Sequence, residues 1–587
     1  MNDNLKEMRN TIKKLKIRNS NDFLKRSYFL SIILNLAVIS LSLVQHLGFN
    51  QANLGQITGI LIMAAISLIL YLIVLSDKYQ KFIQSEARGL TYILLLLIIL
   101  GIFSLVGREG EYIQPFLAYP IYYSIFSISI IINSLNLKTL KIEREITPLI
   151  KNVKISRIFT IILNIFCILW FIVLGFISFI VLTGGLPGVG FTWVIGIFAS
   201  WLTGLAIFSI TALMILFLKI NQKKLSRRVK NTVILCGLIL IVINSLPLIS
   251  VPATIIDANQ QFEDSFGPKW NSFDSDLEEA FLNAPFNFGW YYLGTPKIED
   301  SNYKVKKDIL FDKGKDYELR YDVYYPKKDY IGERATIIHI HGGGMILGDK
   351  GTADMNVIRY FASQGYTVFD IQYRLLDANF FEVFAGTRVE LNTDFNAPDE
   401  DLVGDWSVDD MIDDIATFTR YLADNKSYGA DLSNVYFMGG SAGGYLSAIS
   451  ALGYNSGAWN FSQYLNVSGA VVLYPADDME YFYEESSMKD YGFFDNNNPE
   501  DNPEYFDRIT PSKQVDKDDP PCLLVHGTND QLALLKFSED IQKAILKKDN
   551  ICILLKGFFG GHGHSQAVHY YLPQLYYMER FLYLAKD

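Results

Sequence analysis

Cysteine is scarce in this chain: four residues in 587, at positions 167, 236, 522 and 552. None forms a Cys-x-x-Cys pair or a Cys/His spacing suited to zinc, so no metal and no cofactor are expected. Cys167 and Cys236 lie in apolar runs. Cys522 and Cys552 fall in predicted strands, where they either pair across neighbouring strands or stay buried as thiols. A basic patch interleaved with aromatics is also missing, and the net charge is −10, which argues against a nucleic-acid partner. No acidic or basic side chain stands at the centre of the long apolar runs of the first 250 residues; His46 is near a run end. Ion and proton pathways usually need such groups, so their lack favours an anchor or a lipid-facing platform over a transporter. No internal repeat and no long low-complexity linker stands out.

What is present is unevenly divided. Residues 1–250 hold 24 Lys and Arg against 9 Asp and Glu, whereas the remainder holds 28 against 53. A basic, apolar part joined to an acidic, polar part reads as a membrane region followed by a water-facing one. Residues 1–26 form a basic N-terminus carrying Lys6, Arg9, Lys13, Lys14, Lys16, Arg18, Lys25 and Arg26. An apolar run near 27–48 comes next, too long for a signal-peptide core and without a small-residue cleavage site, so a retained anchor is expected. Further runs near 54–75, 89–107, 115–136, 159–183, 191–218 and 232–250 complete seven expected spans within 27–250. The even loops hold Lys78, Lys81 and Arg88, then Lys138 to Arg157, then Lys219 to Lys230; the odd loops hold only Arg108. Positive charge marks the cytoplasmic side, so the N-terminus is expected inside and everything beyond about 250 outside. Gly175, Gly185, Gly188, Gly190, Gly196 and Gly204 suit close helix packing.

Residues 251–299 read as an amphipathic, aromatic lead-in, either covering the domain from 300 onward or lying on the bilayer surface. In that domain short apolar strands alternate with helical patterns, at Tyr303–Leu310, Tyr317–Tyr325, Thr336–Ile340, Thr367–Tyr373, Val435–Met438, Val467–Tyr474, Cys522–Val525 and Ile551–Leu555. Two segments exceed what the connections need, near 376–403 and 476–514, and are expected to cap a pocket. Trp406–Leu422 reads as a helix whose Asp409, Asp410, Asp413 and Asp414 form a solvated or ion-paired face.

Two glycine-rich stretches carry chemistry. Gly439-Gly440-Ser441-Ala442-Gly443 lies between a strand and a helix, which places Ser441 on a tight elbow as a nucleophile. His341-Gly342-Gly343-Gly344 ends a strand and offers unobstructed N–H groups to a developing oxyanion; losing one such donor typically costs about 2.7–4 kcal/mol. Asp530, after the Cys522 strand, is placed to orient a histidine, with Asp477 and Asp478 as alternative acids. His562 is the preferred general base because Gly561 and Gly563 free its backbone; His564 is the alternative, and His569 reads as structural. The order Ser441, Asp530, His562 differs from that of chymotrypsin and subtilisin.

On these motifs, residues 300–587 resemble the α/β-hydrolase superfamily, in particular its esterase and lipase branch related to hormone-sensitive lipase. The resemblance implies a mostly parallel sheet flanked by helices, following the α-helical bundle of seven spans. It implies an esterase working through an acyl-serine, with Gly343, Gly344 and Ala442 supplying the oxyanion N–H groups. Met345 stands where that branch often has an aromatic, and His562-Gly563-His564 where it often has His-Gly-Phe. The expected substrate is a small-molecule, lipid or cell-surface polymer ester, and the expected partner is the lipid bilayer. A serine peptidase of the prolyl-oligopeptidase type is the second possibility. A seven-span sensor or transporter with a ligand-binding outer domain is the third.

Overall fold

The structure, a computed structural model, describes residues 2–46, 52–78, 118–141, 157–186, 191–201, 203–221, 224–274, 278, 280–293, 302–327, 335–386, 388, 400–425 and 428–586. It divides into two compact units. The first comprises Met1–Phe176, Leu202–Ser245 and Phe286–Pro296; the second comprises Ile177–Trp201, Leu246–Pro285 and Lys297–Asp587.

The first unit is helical. The helices Asn2–His46 and Ala118–Lys141 meet through small polar side chains: Asn35 donates to Ser129 (2.6 Å) and Asn133 to Ser31 (3.0 Å), while Asn133 also donates to Ser129 on its own helix (3.2 Å). Cys167, Leu174, Ile210, Leu213 and Leu216 form a second contact centre. The short helix Phe288–Leu293 belongs here, because Gln56 donates to the Phe286 carbonyl (2.8 Å).

Among the described residues, three helical stretches are long and apolar enough to cross a membrane: Asp22–Val44, Ile161–Thr183 and Arg227–Phe266. Leu54–Ile69, Tyr123–Leu137 and Ser209–Leu218 are shorter apolar stretches. The count of seven spans is therefore not established, and the run expected at 89–107 lies outside the described residues. The run expected at 191–218 is helical over Phe191–Trp201 and over Thr203–Ile220, with residue 202 outside the described residues; the first stretch falls in the second unit. Gly196 lets the first stretch pack directly on the turn at Gly184: a Cβ there would lie 2.3 Å from the Gly184 carbonyl.

The second unit is built on eight strands. They are β1 (Tyr303–Lys313), β2 (Glu318–Pro326), β3 (Thr336–Ile340), β4 (Thr367–Ile371), β7 (Val435–Gly440), β8 (Val467–Leu473), β9 (Cys522–Gly527) and β10 (Cys552–Gly557). The order is β1-β2-β4-β3-β7-β8-β9-β10, antiparallel at the first two pairings and parallel thereafter. The central strands β3, β4, β7, β8 and β9 are buried throughout, which is why they read as continuous apolar runs. Two further strands, β5 (Leu375–Leu376) and β6 (Val403–Gly404), pair with each other at the ends of the first cap segment.

The lead-in expected as a single element at 251–299 is divided between the units. The helix Val251–Phe266 covers the outer edge of β10: Gln261 exchanges two hydrogen bonds with the Leu554 backbone (2.9 Å each), and Thr254 donates to the Lys556 carbonyl (2.8 Å). An edge strand needs such cover, because its unpaired N–H and C=O groups otherwise recruit another chain. Cys522 and Cys552 are direct register partners on β9 and β10, yet both are free and buried. The second segment expected to cap a pocket, 476–514, holds short helices at Met479–Glu485, Pro503–Ile509 and Pro511–Gln514.

Candidate active site

Parallel strands send their C-terminal ends to one edge of the sheet, and the loops beyond those ends carry every candidate residue. Ser441 follows β7 at φ 59 and ψ −120, an unfavourable backbone for a side chain with a Cβ. It is held there by its own N–H to the Leu473 carbonyl (2.9 Å) and by Tyr445 N–H to its carbonyl (2.9 Å). Gly443 is obligatory: a Cβ would lie 2.0 Å from the Ile340 carbonyl. The strain turns the Ser441 hydroxyl out of the sheet edge.

His562 Nε2 lies 2.8 Å from Ser441 Oγ, and its Nδ1 lies 2.7 Å from Asp530 Oδ2. A carboxylate only accepts, so Nδ1 carries the proton and Nε2 is left to accept from the serine hydroxyl. Asp530 is buried, and burial by itself raises a carboxyl pKa. His562 and the hydrogen-bonded His526 outweigh that cost and hold it well below the usual carboxylate range. Leu532 and Ala533 N–H groups also donate to Asp530 Oδ1, at 2.9 and 3.0 Å.

The loop after β3 turns back towards Ser441. A Cβ on Gly342 would lie 2.7 Å from the Gly440 carbonyl and 3.4 Å from Ser441 Cβ. Gly343 and Gly344 have φ of 129 and 65, and a Cβ on Gly343 would lie 1.8 Å from the Leu347 carbonyl. Ala442 opens the helix Ala442–Gly453, so its N–H has no carbonyl one turn back to bond. His341 braces this loop: it stacks on Tyr373 with ring centroids 4.4 Å apart, while Tyr373 Oη donates to its carbonyl (3.0 Å). Burial pushes the His341 pKa down to about 4, so the ring is neutral at physiological pH.

The alternative residues stand elsewhere. Asp477 accepts from Ser512 N–H and Oγ, both at 2.7 Å, and burial pushes its pKa up to about 7. Asp478 caps the helix Met479–Glu485 through Tyr481 N–H. His564 is buried under the turn that ends β10, where a Cβ on Gly557 would lie 2.4 Å from its ring. Burial lowers its pKa to about 3. Of Asp409, Asp410, Asp413 and Asp414 on the helix Val408–Asn425, Asp410 and Asp414 make ion pairs with Arg374, and Asp409 with Arg508.

Three further residues support this arrangement. His526 contacts Asp530 (3.4 Å) while its ring is fixed by Ser538 (2.7 Å) and the Ala533 carbonyl (2.8 Å). Tyr474 presents its ring to His562, centroids 4.9 Å apart. Asn529 N–H bonds to the Gly560 carbonyl (2.9 Å), tying the Asp530 loop to the His562 loop. His526 and Asn529 lie in the stretch His526-Gly527-Thr528-Asn529-Asp530 that closes the strand before Asp530; Tyr474 has no signal beyond its place at a strand end.

The BD-FAE family model matches residues 321–384 and 398–545, which include Gly343, Gly344, Ser441 and Asp530 but stop short of His562. Among solved structures, butyrate-bound esterase 2 of Thermogutta terrifontis is 20% identical, covering 48% of this chain and 93% of its own, with a TM-score of 0.36. The tabun-treated form of the same enzyme is 19% identical at 49% and 95% coverage and a TM-score of 0.35. A truncated carbohydrate esterase from gut microbiota is 21% identical at 49% and 98% coverage, also with a TM-score of 0.36. No curated protein matches the chain. The second unit has an α/β-hydrolase-like fold with a mostly parallel sheet.

Proposed function

We propose that the protein is a membrane-anchored, extracytoplasmic serine hydrolase that cleaves carboxylic esters through an acyl-serine. The single observation that carries this is the continuous relay from Ser441 Oγ through His562 to Asp530, with links of 2.8 and 2.7 Å, beside the Gly343–Gly344 turn. Ser441 attacks the ester carbonyl as His562 Nε2 takes its proton. The oxyanion is received by the N–H groups of Gly343, Gly344 and Ala442. His562 then delivers the proton to the leaving alcohol, and Asp530 steadies the imidazolium throughout. Water repeats the sequence to release the acid. The match to the BD-FAE family model supports the same reading.

Seven crossings with the N-terminus inside are supported by the alternation of loop charge and by six apolar helical stretches among the described residues. The test is fluorophosphonate labelling of the full chain on intact cells with an impermeant probe. Labelling of the parent and none of Ser441→Ala is expected; labelling only after lysis would refute the extracytoplasmic site, and none at all would refute the hydrolase.

A further inference from the structure

The helix Arg157–Thr183 ends on the Asp530 loop. Asn529 Nδ2 donates to the Val181 carbonyl (2.8 Å), and Gln531 Nε2 to the Thr183 carbonyl (3.2 Å). Gly184 comes next at φ 76, so close that a Cβ there would lie 1.9 Å from the Asn529 carbonyl. Thr192 then receives Leu186 N–H (2.7 Å), and the helix Phe191–Trp201 packs back over Gly184. From this helix Trp193, only 7% exposed, donates its indole N–H to the Phe384 carbonyl (3.3 Å) and sets its ring edge-on to Phe380, centroids 6.0 Å apart. Phe380 and Phe384 in turn face the oxyanion turn: a Cβ on Gly344 would lie 2.7 Å from each ring. The helix end at Val181–Gly184 thus grips the loop of the triad acid, and Trp193 of the helix Phe191–Trp201 braces the aromatic wall beside Gly344.

This segment is also where an apolar span ends. Ile161–Thr183 is 23 residues long, enough to cross the hydrocarbon layer. Its last turns leave Phe179 and Leu182 exposed, as is Leu186 just beyond it. On the membrane reading proposed above, a span that stops at hydrogen-bond distance from the residues flanking Asp530 brings the triad near the bilayer surface.

We propose that Phe380 and Phe384 form an apolar subsite that takes the acyl chain of a membrane-resident, amphiphilic ester, and that Trp193 is the residue positioning this wall. The proposal rests on the ester-hydrolase reading above and names its substrate class. An amphiphile in the outer leaflet keeps its ester at the interface, level with Ser441, while its chain lies in apolar surroundings. Every added methylene seated against the wall adds binding that a short ester lacks.

The test uses the full chain in phosphatidylcholine vesicles with nitrophenyl butyrate and nitrophenyl palmitate. The parent is expected to favour palmitate in kcat/KM. Trp193→Ala is expected to lower kcat/KM for palmitate by about tenfold, mostly through KM, and for butyrate by less than about threefold, with Trp193→Phe recovering most of the loss. An equal loss on both esters, or none, would overturn the proposal. Should Trp193→Ala lose fluorophosphonate labelling altogether, Phe380→Leu and Phe384→Leu decide by the same chain-length difference. A parent that is labelled at Ser441 but shows no chain-length preference sinks the subsite alone. A parent with neither labelling nor turnover sinks the ester-hydrolase reading beneath it.

Discussion

The helical stretches before residue 250 and the sheet unit after residue 302 treat their apolar surface in opposite ways. On the helix Arg157–Thr183, Ile162, Leu169 and Ile172 are 57%, 58% and 64% exposed. From residue 302 onward, the exposed large hydrophobics among the described residues are Val305, Leu310, Tyr464 and Leu546. Water tolerates scattered apolar side chains but not continuous apolar faces, so the first pattern suits lipid and the second suits water. Buried polar groups follow the same division. The helices bury neutral serine and asparagine, whereas the sheet unit buries charges in pairs, such as Arg374 with Asp414. The membrane reading therefore rests on two independent properties, where apolar atoms face out and what kind of polar atoms face in.

The sharpest break between the regions is chemical. Ser441→Ala is expected to lower ester turnover by at least about 10⁴-fold, and His562→Ala comparably, while the protein still sediments with membranes. Asp530→Asn is expected to cost about 10⁴-fold, because the wrong imidazole tautomer would face the serine. His564→Ala, whose ring makes no contact with Ser441, should keep at least about a tenth of turnover, a loss under about 1.4 kcal/mol. Steady-state kinetics on a short nitrophenyl ester measure all four. A dead His564→Ala beside an active His562→Ala reverses the assignment.

Next in size comes the buried ion pair. Arg374 Nε meets both Asp414 oxygens at 2.9 Å, and its guanidinium also lies over the Tyr317 and Trp406 rings. Asp414→Ala leaves a buried arginine without its main partner and should cost about 3–5 kcal/mol in denaturant unfolding. Replacing both members by apolar residues should cost distinctly less, since no charge is then stranded.

A smaller effect appears with pH. His339 is buried on β3, 2.8 Å from Asp370 and 3.6 Å from Asp354. Burial lowers its pKa, but the two carboxylates more than reverse this and push it up to about 9, from 6.5. The folded state therefore favours the charged ring. Its contribution to stability is complete below about pH 6.5 and is lost as the pH rises through about 9. The melting temperature of the parent should fall across that window relative to His339→Gln, in which the alkaline decline is shallower. Parallel declines would show that His339 does not titrate there.

These expectations also separate what the sequence makes legible from what it hides. The glycines around Ser441 and after His341 are readable because a nearby carbonyl forbids any Cβ, so the chemistry leaves a local trace. The histidine that lies between Ser441 and Asp530, His562, is the one that Gly561 and Gly563 flank. The contacts of Trp193 and Asn529 are not readable: they join positions hundreds of residues apart, and no spacing rule links an apolar run to a loop of the sheet unit. The helices of 476–514 escape for another reason, since four to seven residues are too few to show a helical period. Charge is a coarse guide, placing Asp414 on an ion-paired or solvated face without saying which.

The smallest effect is the one that tests the comparison most directly. Asn133 donates to Ser31 and Asn35 to Ser129 between the helices Asn2–His46 and Ala118–Lys141, all buried side chains, and Asn133 also donates to Ser129 on its own helix. In a water-soluble core, Asn133→Leu would strand these hydroxyls and crowd a packed contact. In lipid the reckoning differs. The helices stay inserted and helical when separated, and each freed serine finds another partner on its own helix, typically a backbone carbonyl one turn back. Interhelical hydrogen bonds there average about 0.6 kcal/mol and reach at most about 1.7 kcal/mol. Asn133→Leu should therefore cost less than about 1.7 kcal/mol when the full chain is unfolded from mild detergent by increasing denaturing detergent, well below Asp414→Ala in the sheet unit. A cost of about 3 kcal/mol or more would mean that these helices pack as a water-excluding core, and the contrast between the two regions would then be one of composition and not of solvent.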